Sequence, residues 1–191
     1  QLSAARHANP LTFLPGNVAI NAQIDKLLAA KTPFYVCYAD LDHFKAYNDV
    51  YGYRKGDALI QLAAKILQNH CQLRGDFVGH IGGDDFVLLW LQGDWEARCR
   101  AIVAEFARQI PALFTAEHVL AGGYEAEDRQ GRRVKHPLVS LSLGVLAVAP
   151  GQYHNPDEIA SAATEAKKHA KQRIGNSYFL LNSAIKLRGA V

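Results

Sequence analysis

Two kinds of hydrophobic pattern alternate along this chain. Continuous apolar runs of strand length occur at 34–39 and 138–148, and on either side of the polar residues 82–85. Apolar residues at helical spacing occupy the stretches between them. Continuous runs predict strands buried on both faces, and the helical spacing predicts amphipathic helices. We therefore expect an α+β fold, with a central, mostly antiparallel five-stranded sheet flanked by helices and an extra β-hairpin.

Capping residues and turn signals set the expected ends of these elements. Two hairpins are expected, at 76–90 and at 119–148, the second turning at Asp128–Gly131. The last strand is expected at 178–181, and the element order is typical of palm-like and ferredoxin-like folds. The predicted helices run from Asn17 as N-cap to about 30, over 44–51, from Asp57 as N-cap to about 71, from Asp94 as cap to about 110, and from Asn155 to about 173.

Length and composition indicate one domain. The 191 residues divide into an expected linker or tail at 1–9, a folded domain at 10–182 and a C-terminal tail at 183–191. The net charge of +3 is too small to indicate nucleic-acid binding, and no apolar run reaches the ~20 residues of a membrane span. Cys37, Cys71 and Cys99 are widely spaced and odd in number, which predicts reduced thiols in a cytoplasmic protein.

The first candidate for chemistry is the turn Gly82-Gly83-Asp84-Asp85, between the apolar runs FVGHI and FVLLW. Two glycines between apolar runs are typical of a tight hairpin turn. Adjacent carboxylates repel each other, and a bound cation would relieve that repulsion. A solvated acidic turn is the alternative.

A second pair of carboxylates ends the apolar run at 34–39. Asp40 and Asp42 share a face if the strand continues, although Asp42 could instead cap the next helix. If this strand lies beside the hairpin, Asp40, Asp84 and Asp85 converge. Oxygen ligands alone favour a hard cation such as Mg²⁺, with Mn²⁺ as the alternative.

Polar residues just beyond Asp40 suit a nucleotide. Lys45 lies one helical turn further on and could reach phosphate groups. Asn48 and Asp57 flank a short glycine-containing segment, and an amide with a carboxylate could recognise guanine. The alternative for Asp57 is a helix cap.

Together these motifs resemble the GGDEF domain of diguanylate cyclases, bacterial enzymes that condense two GTP molecules into cyclic di-GMP. The resemblance covers residues 10 to about 180 and gives the signature here as Gly-Gly-Asp-Asp-Phe. The motifs that carry it are Pro10-Leu-Thr-Phe-Leu-Pro15, Asp40-Leu-Asp-His-Phe-Lys45, Asn48 with Gly52, Gly56 and Asp57, Gly82-Gly-Asp-Asp-Phe86, Ser142-Leu-Gly144, and the late pair Lys167 and Lys171.

The resemblance implies a nucleotide-cyclase-like fold and a role for each matched residue. Asp40, Asp84 and Asp85 are the implied catalytic acids, and metal is implied at Asp40, Asp84 and the Leu41 carbonyl. Asn48 and Asp57 are implied to bind guanine. The implied phosphate-binding groups are the backbone amides at His43 and Phe44 and the side chains of Lys45, Lys167 and Lys171, although the lysine pair could be a solvated helix face.

The resemblance also implies partners. Each domain would hold one GTP, so catalysis requires a second GGDEF domain, and adjoining domains of a parent protein are expected. The alternatives to a cyclase are a GTP-binding regulatory module that controls a neighbour such as an EAL phosphodiesterase, and a scaffold that binds no nucleotide.

Four positions depart from the family pattern. Asp85 stands where the signature has Glu, His80 where Arg is common, and Phe13 where the N-terminal turn has Gly. The inhibitory Arg-x-x-Asp motif keeps Asp76 but has Leu73 in the Arg position. We therefore expect no working inhibitory site, and a local turn contact between Arg74 and Asp76.

Overall fold

The computed structural model describes residues 7–182, so the predicted tail at 183–191 and most of the predicted linker lie outside it. A short 3₁₀ turn, Ile110–Leu113, separates the helices Trp95–Gln109 and Ala116–Ala121. The helices are α1 Asn17–Ala29, α2 Phe44–Tyr51, α3 Tyr53–Asn69, α4 Trp95–Gln109, α5 Ala116–Ala121 and α6 Pro156–Lys171; the strands are β1 Phe34–Asp42, β2 Phe77–Gly82, β3 Asp85–Trp90, β4 Gly123–Glu127, β5 Arg133–Pro137, β6 Ser140–Val148 and β7 Ser177–Leu181.

Five strands form the main sheet in the order β2-β3-β1-β6-β7. β1 is central and pairs antiparallel with β3 on one side and with β6 on the other. Only the β6–β7 pair of this sheet is parallel. The expected mostly antiparallel five-stranded sheet is confirmed, and the apolar run at 34–39 is its middle strand.

Helices cover both faces of this sheet, which explains why its strands are apolar on both sides. Cys37, Ala39 and Leu41 of β1 belong to the core cluster that contains residues of α2, α3 and α4. Phe34 and Val36 belong to the cluster that contains residues of α1 and α6. Successive side chains of β1 therefore enter different core layers, and even-numbered positions face α6.

The extra hairpin is a separate two-stranded sheet. β4 and β5 pair antiparallel around a turn in which Asp128 accepts hydrogen bonds from the backbone amides of Gln130 and Arg132. The predicted turn at 128–131 is thus confirmed, but β6 leaves this hairpin and enters the main sheet. Within residues 7–182, no helix has the length and apolar character that crossing a membrane requires.

The range 44–51 predicted for α2 is confirmed, but three predicted N-caps are wrong. Helix α3 begins at Tyr53, so Asp57 lies within it and is not its cap. The N-cap of α1 is Gly16 and not Asn17. The N-cap of α2 is His43, because Asp42 is still part of β1. Asp94 does precede α4 as predicted, but its side chain accepts a hydrogen bond from Arg98 instead of capping the helix.

Candidate functional site

The acidic residues meet where β1 and β3 lie side by side. Asp40 is directly opposite Asp85 in the antiparallel register. The turn between β2 and β3 is Gly83-Asp84, with φ of 154° at Gly82 and 52° at Gly83. A φ of 52° is left-handed and favours glycine, so the glycine allows the tight turn that brings Asp84 back over β1. The backbone amide of Leu41 donates to the Asp84 carbonyl at 3.4 Å.

Three carboxylates converge at this point. One oxygen each from Asp40, Asp84 and Asp85 lie within 4.8 Å of one another. Burial raises the pKa of Asp40 and of Asp85, and the charges of neighbouring aspartates add to the rise. A cation between the carboxylates would remove this repulsion, so the donor set fits a hard divalent cation such as Mg²⁺. The predicted convergence of Asp40 and Asp84 is present, and Asp85 belongs to the same cluster.

Two lysines of α6 neutralise part of this charge. The Lys167 ammonium lies 3.1 Å from Asp85 Oδ1 and 3.6 Å from Asp40 Oδ2. The Lys171 ammonium lies 2.9 Å from Asp40 Oδ2 and 2.8 Å from Asp42 Oδ1. Burial alone would lower the pKa of Lys171, but its hydrogen bonds to Asp42 and Asp40 raise it. The two residues therefore do not form a merely solvated helix face.

Asp42 has a different role from the one that its position predicted. Its carboxylate accepts hydrogen bonds from the hydroxyl groups of Ser140 and Ser142, at 2.7 and 2.8 Å, and from Lys171. Asp40 and Asp42 share one face of β1, as predicted, since Lys171 contacts both. The serines lie on the neighbouring strand β6, so the sequence pattern alone did not connect them with Asp42.

A large cavity adjoins this charged face. Its volume is about 660 Å³, within the range typical of small-molecule sites. Asp42 and Lys171 form part of its wall and link it to the acids. Sequence analysis missed two of its basic residues, Lys135 on β5 and Arg173 after α6, because no motif marks them.

The first turn of α2 lies beside the same cavity. His43 has φ of 62°, a left-handed conformation that turns the chain sharply from β1 into the helix. His43 lines both the 660 Å³ cavity and a second one of about 340 Å³, which Lys45 also lines. Amides of a first helical turn lack partners within the helix and can bind anions. His43, Phe44 and Lys45 are thus placed together, with Lys45 exposed on the side of the β4–β5 hairpin.

The Asn48 side chain lies at the contact between α2 and α3. Its Oδ1 atom is buried and has no hydrogen-bond partner among the described residues. The amide lies against Gly56, where a methyl group would overlap it, so the two helices α2 and α3 meet closely there. Asp57 is the next residue after Gly56 and is exposed. A buried acceptor without a donor is costly, and the Asn48 Oδ1 atom faces Gly56 of α3 and not an open surface.

His80 connects the acid-bearing turn with the N-terminal segment. Its two ring nitrogens lie 2.9 Å from the Thr12 hydroxyl and 2.8 Å from the Gly83 carbonyl oxygen. Its ring stacks on Phe86 at a centroid distance of 4.4 Å. Burial lowers the pKa of His80. The residue that replaces the common Arg thus positions the hairpin.

The expected turn contact between Arg74 and Asp76 is wrong. Asp76 instead accepts a hydrogen bond from Arg98 at 2.7 Å and another from the Leu73 amide at 3.0 Å. The Asp76 side chain is fully buried by these partners. The carboxylate expected from the inhibitory motif is therefore part of an internal ion pair.

Comparisons with known proteins agree with this arrangement. MucR of Pseudomonas aeruginosa, described as a bifunctional diguanylate cyclase/cyclic di-GMP phosphodiesterase, is 28% identical over 189 residues, which cover 96% of this chain and 24% of MucR. DgcT of Escherichia coli, described as a probable diguanylate cyclase, is 29% identical over 168 residues, which cover 87% of this chain and 34% of DgcT. The chain thus spans about a quarter to a third of these relatives.

A solved structure shares the fold. Diguanylate cyclase SiaD, crystallised with its activator SiaC from Pseudomonas aeruginosa, matches with a TM-score of 0.70 at 20% identity, over 94% of this chain and 64% of SiaD. The sequence profile described as "Diguanylate cyclase, GGDEF domain" matches residues 6–177. The chain therefore belongs to the GGDEF domain family of diguanylate cyclases.

Proposed function

We propose that this domain condenses two GTP molecules into cyclic di-GMP and releases pyrophosphate. The observation that carries the proposal is the convergence of Asp40, Asp84 and Asp85 within 4.8 Å beside a 660 Å³ cavity with basic walls. An acid cluster next to cationic groups suits a cation-bound triphosphate. The names of MucR and DgcT point to the same reaction.

Each end of the nucleotide has candidate partners on this chain. The resemblance assigns guanine to Asn48, at the contact between α2 and α3, and to Asp57, which is exposed on α3. Adenine presents a different pattern of donors, so this pair would favour guanine. The triphosphate would lie along the amides of His43 and Phe44, with Lys45, Lys167 and Lys171 as counter-charges.

A divalent cation held by Asp40, Asp84 and the Leu41 carbonyl would neutralise charge on the phosphate groups. Mg²⁺ is the proposed cation, with Mn²⁺ as the alternative. Asp85 is the candidate acceptor for the proton of the attacking 3′-hydroxyl, because its carboxylate lies beside the two acids that would hold the cation. The bond to pyrophosphate breaks as the 3′-oxygen bonds to the α-phosphorus of the other GTP.

The reaction requires two copies of the site. One domain holds one GTP, so two domains must face each other with their nucleotides antiparallel, and each supplies the 3′-hydroxyl that attacks the other's α-phosphate. The proposed partner is therefore a second GGDEF domain, and adjoining domains of a longer chain would control the encounter.

A second candidate function is a GTP-binding module that regulates an adjoining domain such as an EAL phosphodiesterase. The ion pair between Lys167 and Asp85 favours it, because this pair occupies the carboxylate assigned to proton transfer. MucR, by its name, combines cyclase and phosphodiesterase activities. Such a module would bind GTP without forming product.

The test is to incubate the purified chain with GTP and Mg²⁺, alone and fused to a dimerising coiled coil, and to separate the nucleotides by chromatography. We expect cyclic di-GMP from the fused dimer and a loss of at least about a hundredfold with Asp84→Ala. Tight GTP binding without product in the fused dimer would overturn the cyclase proposal in favour of the regulatory module.

A binding titration tests the guanine assignment in the same samples. Asp57→Ala should weaken GTP binding about tenfold or more, while Asp25→Ala, a matched change on the exposed face of α1, should leave it unchanged. Equal GTP affinities in the two variants would remove Asp57 from the site.

A further inference from the structure

Lys167 differs from the other basic residues of the site in where its ammonium group lies. It contacts Asp85 and Asp40, two of the three clustered carboxylates, at 3.1 and 3.6 Å. Its side chain is only 18% exposed. The ammonium group is therefore held among the same oxygens that would bind a cation.

The packing of α6 explains this position. Gly144 of β6 faces α6, and a methyl group there would overlap the backbone of Lys167 and lie 2.6 Å from the Ala166 carbonyl carbon. Helix and sheet thus touch through their backbones at Lys167. Ala163, Ala166 and Ala170 are buried along the same side of the helix. Close packing of this kind directs the Lys167 stem along the sheet toward β1 and β3.

The neighbouring lysines are placed differently. Lys171 bridges Asp40 to Asp42, which is outside the cluster, and its side chain is 33% exposed at the edge of the 660 Å³ cavity. Lys168 is exposed on the outer side of α6. Lys167 alone of these three contacts Asp85.

A divalent cation and the Lys167 ammonium cannot share these carboxylates favourably. Mg²⁺ binds carboxylate oxygens at about 2.1 Å, so a cation on Asp40 would lie close to a positive charge that is already 3.6 Å from Asp40 Oδ2 and 3.1 Å from Asp85 Oδ1. Like charges at such distances repel strongly in a partly buried site. Either the ammonium group moves away or the cation binds weakly.

We propose that Lys167 is a built-in counter-ion of Asp40 and Asp85 that competes with the divalent cation for Asp40, so that cation binding displaces its ammonium group. The inference rests on the cation site of the proposed function but not on turnover. In the absence of the cation, Lys167 stabilises the clustered acids. When displaced, its ammonium group is free to contact a phosphate, which couples cation binding to nucleotide binding.

The test measures cation binding without nucleotide. Lys167→Met keeps the length and apolar stem of the side chain but removes the charge, and Lys168→Met is the matched control one residue away. By calorimetric titration with Mn²⁺, we expect Lys167→Met to bind about tenfold more tightly than the wild type, and Lys168→Met to match the wild type. Unchanged or weaker Mn²⁺ affinity in Lys167→Met would overturn the proposal.

A second measurement uses the wild-type protein, so it does not depend on how the variant folds. An amine-reactive reagent with mass spectrometry reports the exposure of each lysine. We expect the labelling rate of Lys167 to rise severalfold between chelator and saturating Mg²⁺, with Lys168 unchanged. A constant rate at Lys167, or no cation binding to wild type and variant alike, refutes the counter-ion role. If the chain forms no cyclic di-GMP but shows both effects, only the cyclase proposal is refuted and the counter-ion role of Lys167 stands.

Discussion

The molecule holds two groups of carboxylates that are paired with different basic residues. Near the start of α4, one guanidinium, that of Arg98, contacts Asp76 at 2.7 Å and Asp94 at 2.9 Å. At the site on β1 and β3, Asp40, Asp42 and Asp85 share the ammonium groups of Lys167 and Lys171.

The basic residue decides what each group can do. A guanidinium is planar and holds its partners in a fixed geometry, whereas an ammonium group is a point charge on a flexible stem. Arg98 is 8% exposed, lies over the Trp90 ring at 5.4 Å and fixes a fully buried Asp76. Lys167 and Lys171 are more exposed and can exchange partners. The first group is structural, and the second leaves its carboxylates available to a ligand.

The largest effect on stability is expected when the Arg98 guanidinium is removed. Arg98→Met leaves the Asp76 charge buried without its partner, which typically costs about 3–5 kcal/mol. We expect the free energy of unfolding in urea to fall by that amount. Arg100→Met, which removes an exposed ion pair with Glu96 on the same helix, should leave the free energy of unfolding nearly unchanged. Similar losses of stability in both variants would contradict a structural role for the Arg98 ion pair.

An intermediate effect is expected at Gly144, which allows α6 to touch β6. Gly144→Ala introduces a methyl group that overlaps the backbone of Lys167, so the helix must move outward. Overpacking of this kind costs about 1–3 kcal/mol. The same shift should raise the Mn²⁺ affinity by drawing Lys167 away from Asp85. Gly93→Ala, at a glycine with open space around it, is the control, and equal stability of the two variants would contradict the packing argument.

The smallest effect concerns the pH dependence of Asp40. Because the folded protein raises the pKa of Asp40 through burial, its ionisation opposes folding above that pKa. In chelator at neutral pH, Asp40→Asn should therefore be more stable than the wild type, by up to about 1 kcal/mol.

At low pH the difference in stability between Asp40→Asn and the wild type does not change sign but disappears. As the pH falls through the raised pKa of Asp40, the wild type gains a proton and stability, so the advantage of the variant shrinks and disappears below the ordinary value of about 4. Asp25→Asn on α1 should show no such trend in urea unfolding between pH 4 and 7. A constant difference between Asp40→Asn and the wild type would contradict the assignment.

Much of the site could be predicted from the sequence because it depends on neighbours along the chain. The run at 34–39 ends at Asp40, the signature turn bears Asp84 and Asp85, and one strand pairing brings them together. Period-two alternation also gave the shared face of Asp40 and Asp42. These inferences need only strand geometry and the pairing of two apolar runs.

The errors have a common cause in contacts between distant residues. Asp42 is held by Ser140 and Ser142, and Asp76 by Arg98, partners 22 or more positions away that no local pattern links. The start of α3 was misplaced because Gly52 and Gly56 are typical of loops. Gly56 is helical and lies where a side chain would overlap the Asn48 amide, so tertiary packing and not helix propensity accounts for it.

The link from Thr12 through His80 to Gly83 has a mechanical consequence. The segment 7–16 is tied to the hairpin by the hydrogen bond between Thr12 and His80 and by the His80 amide, which donates to the Pro15 carbonyl at 2.9 Å, and His80 in turn contacts the Gly83 carbonyl within the hairpin. The N-terminal segment and the turn that bears Asp84 are therefore joined through the buried imidazole of His80. We therefore expect a displacement of the entering segment to reach the turn that bears Asp84 through His80, without a shift of any helix.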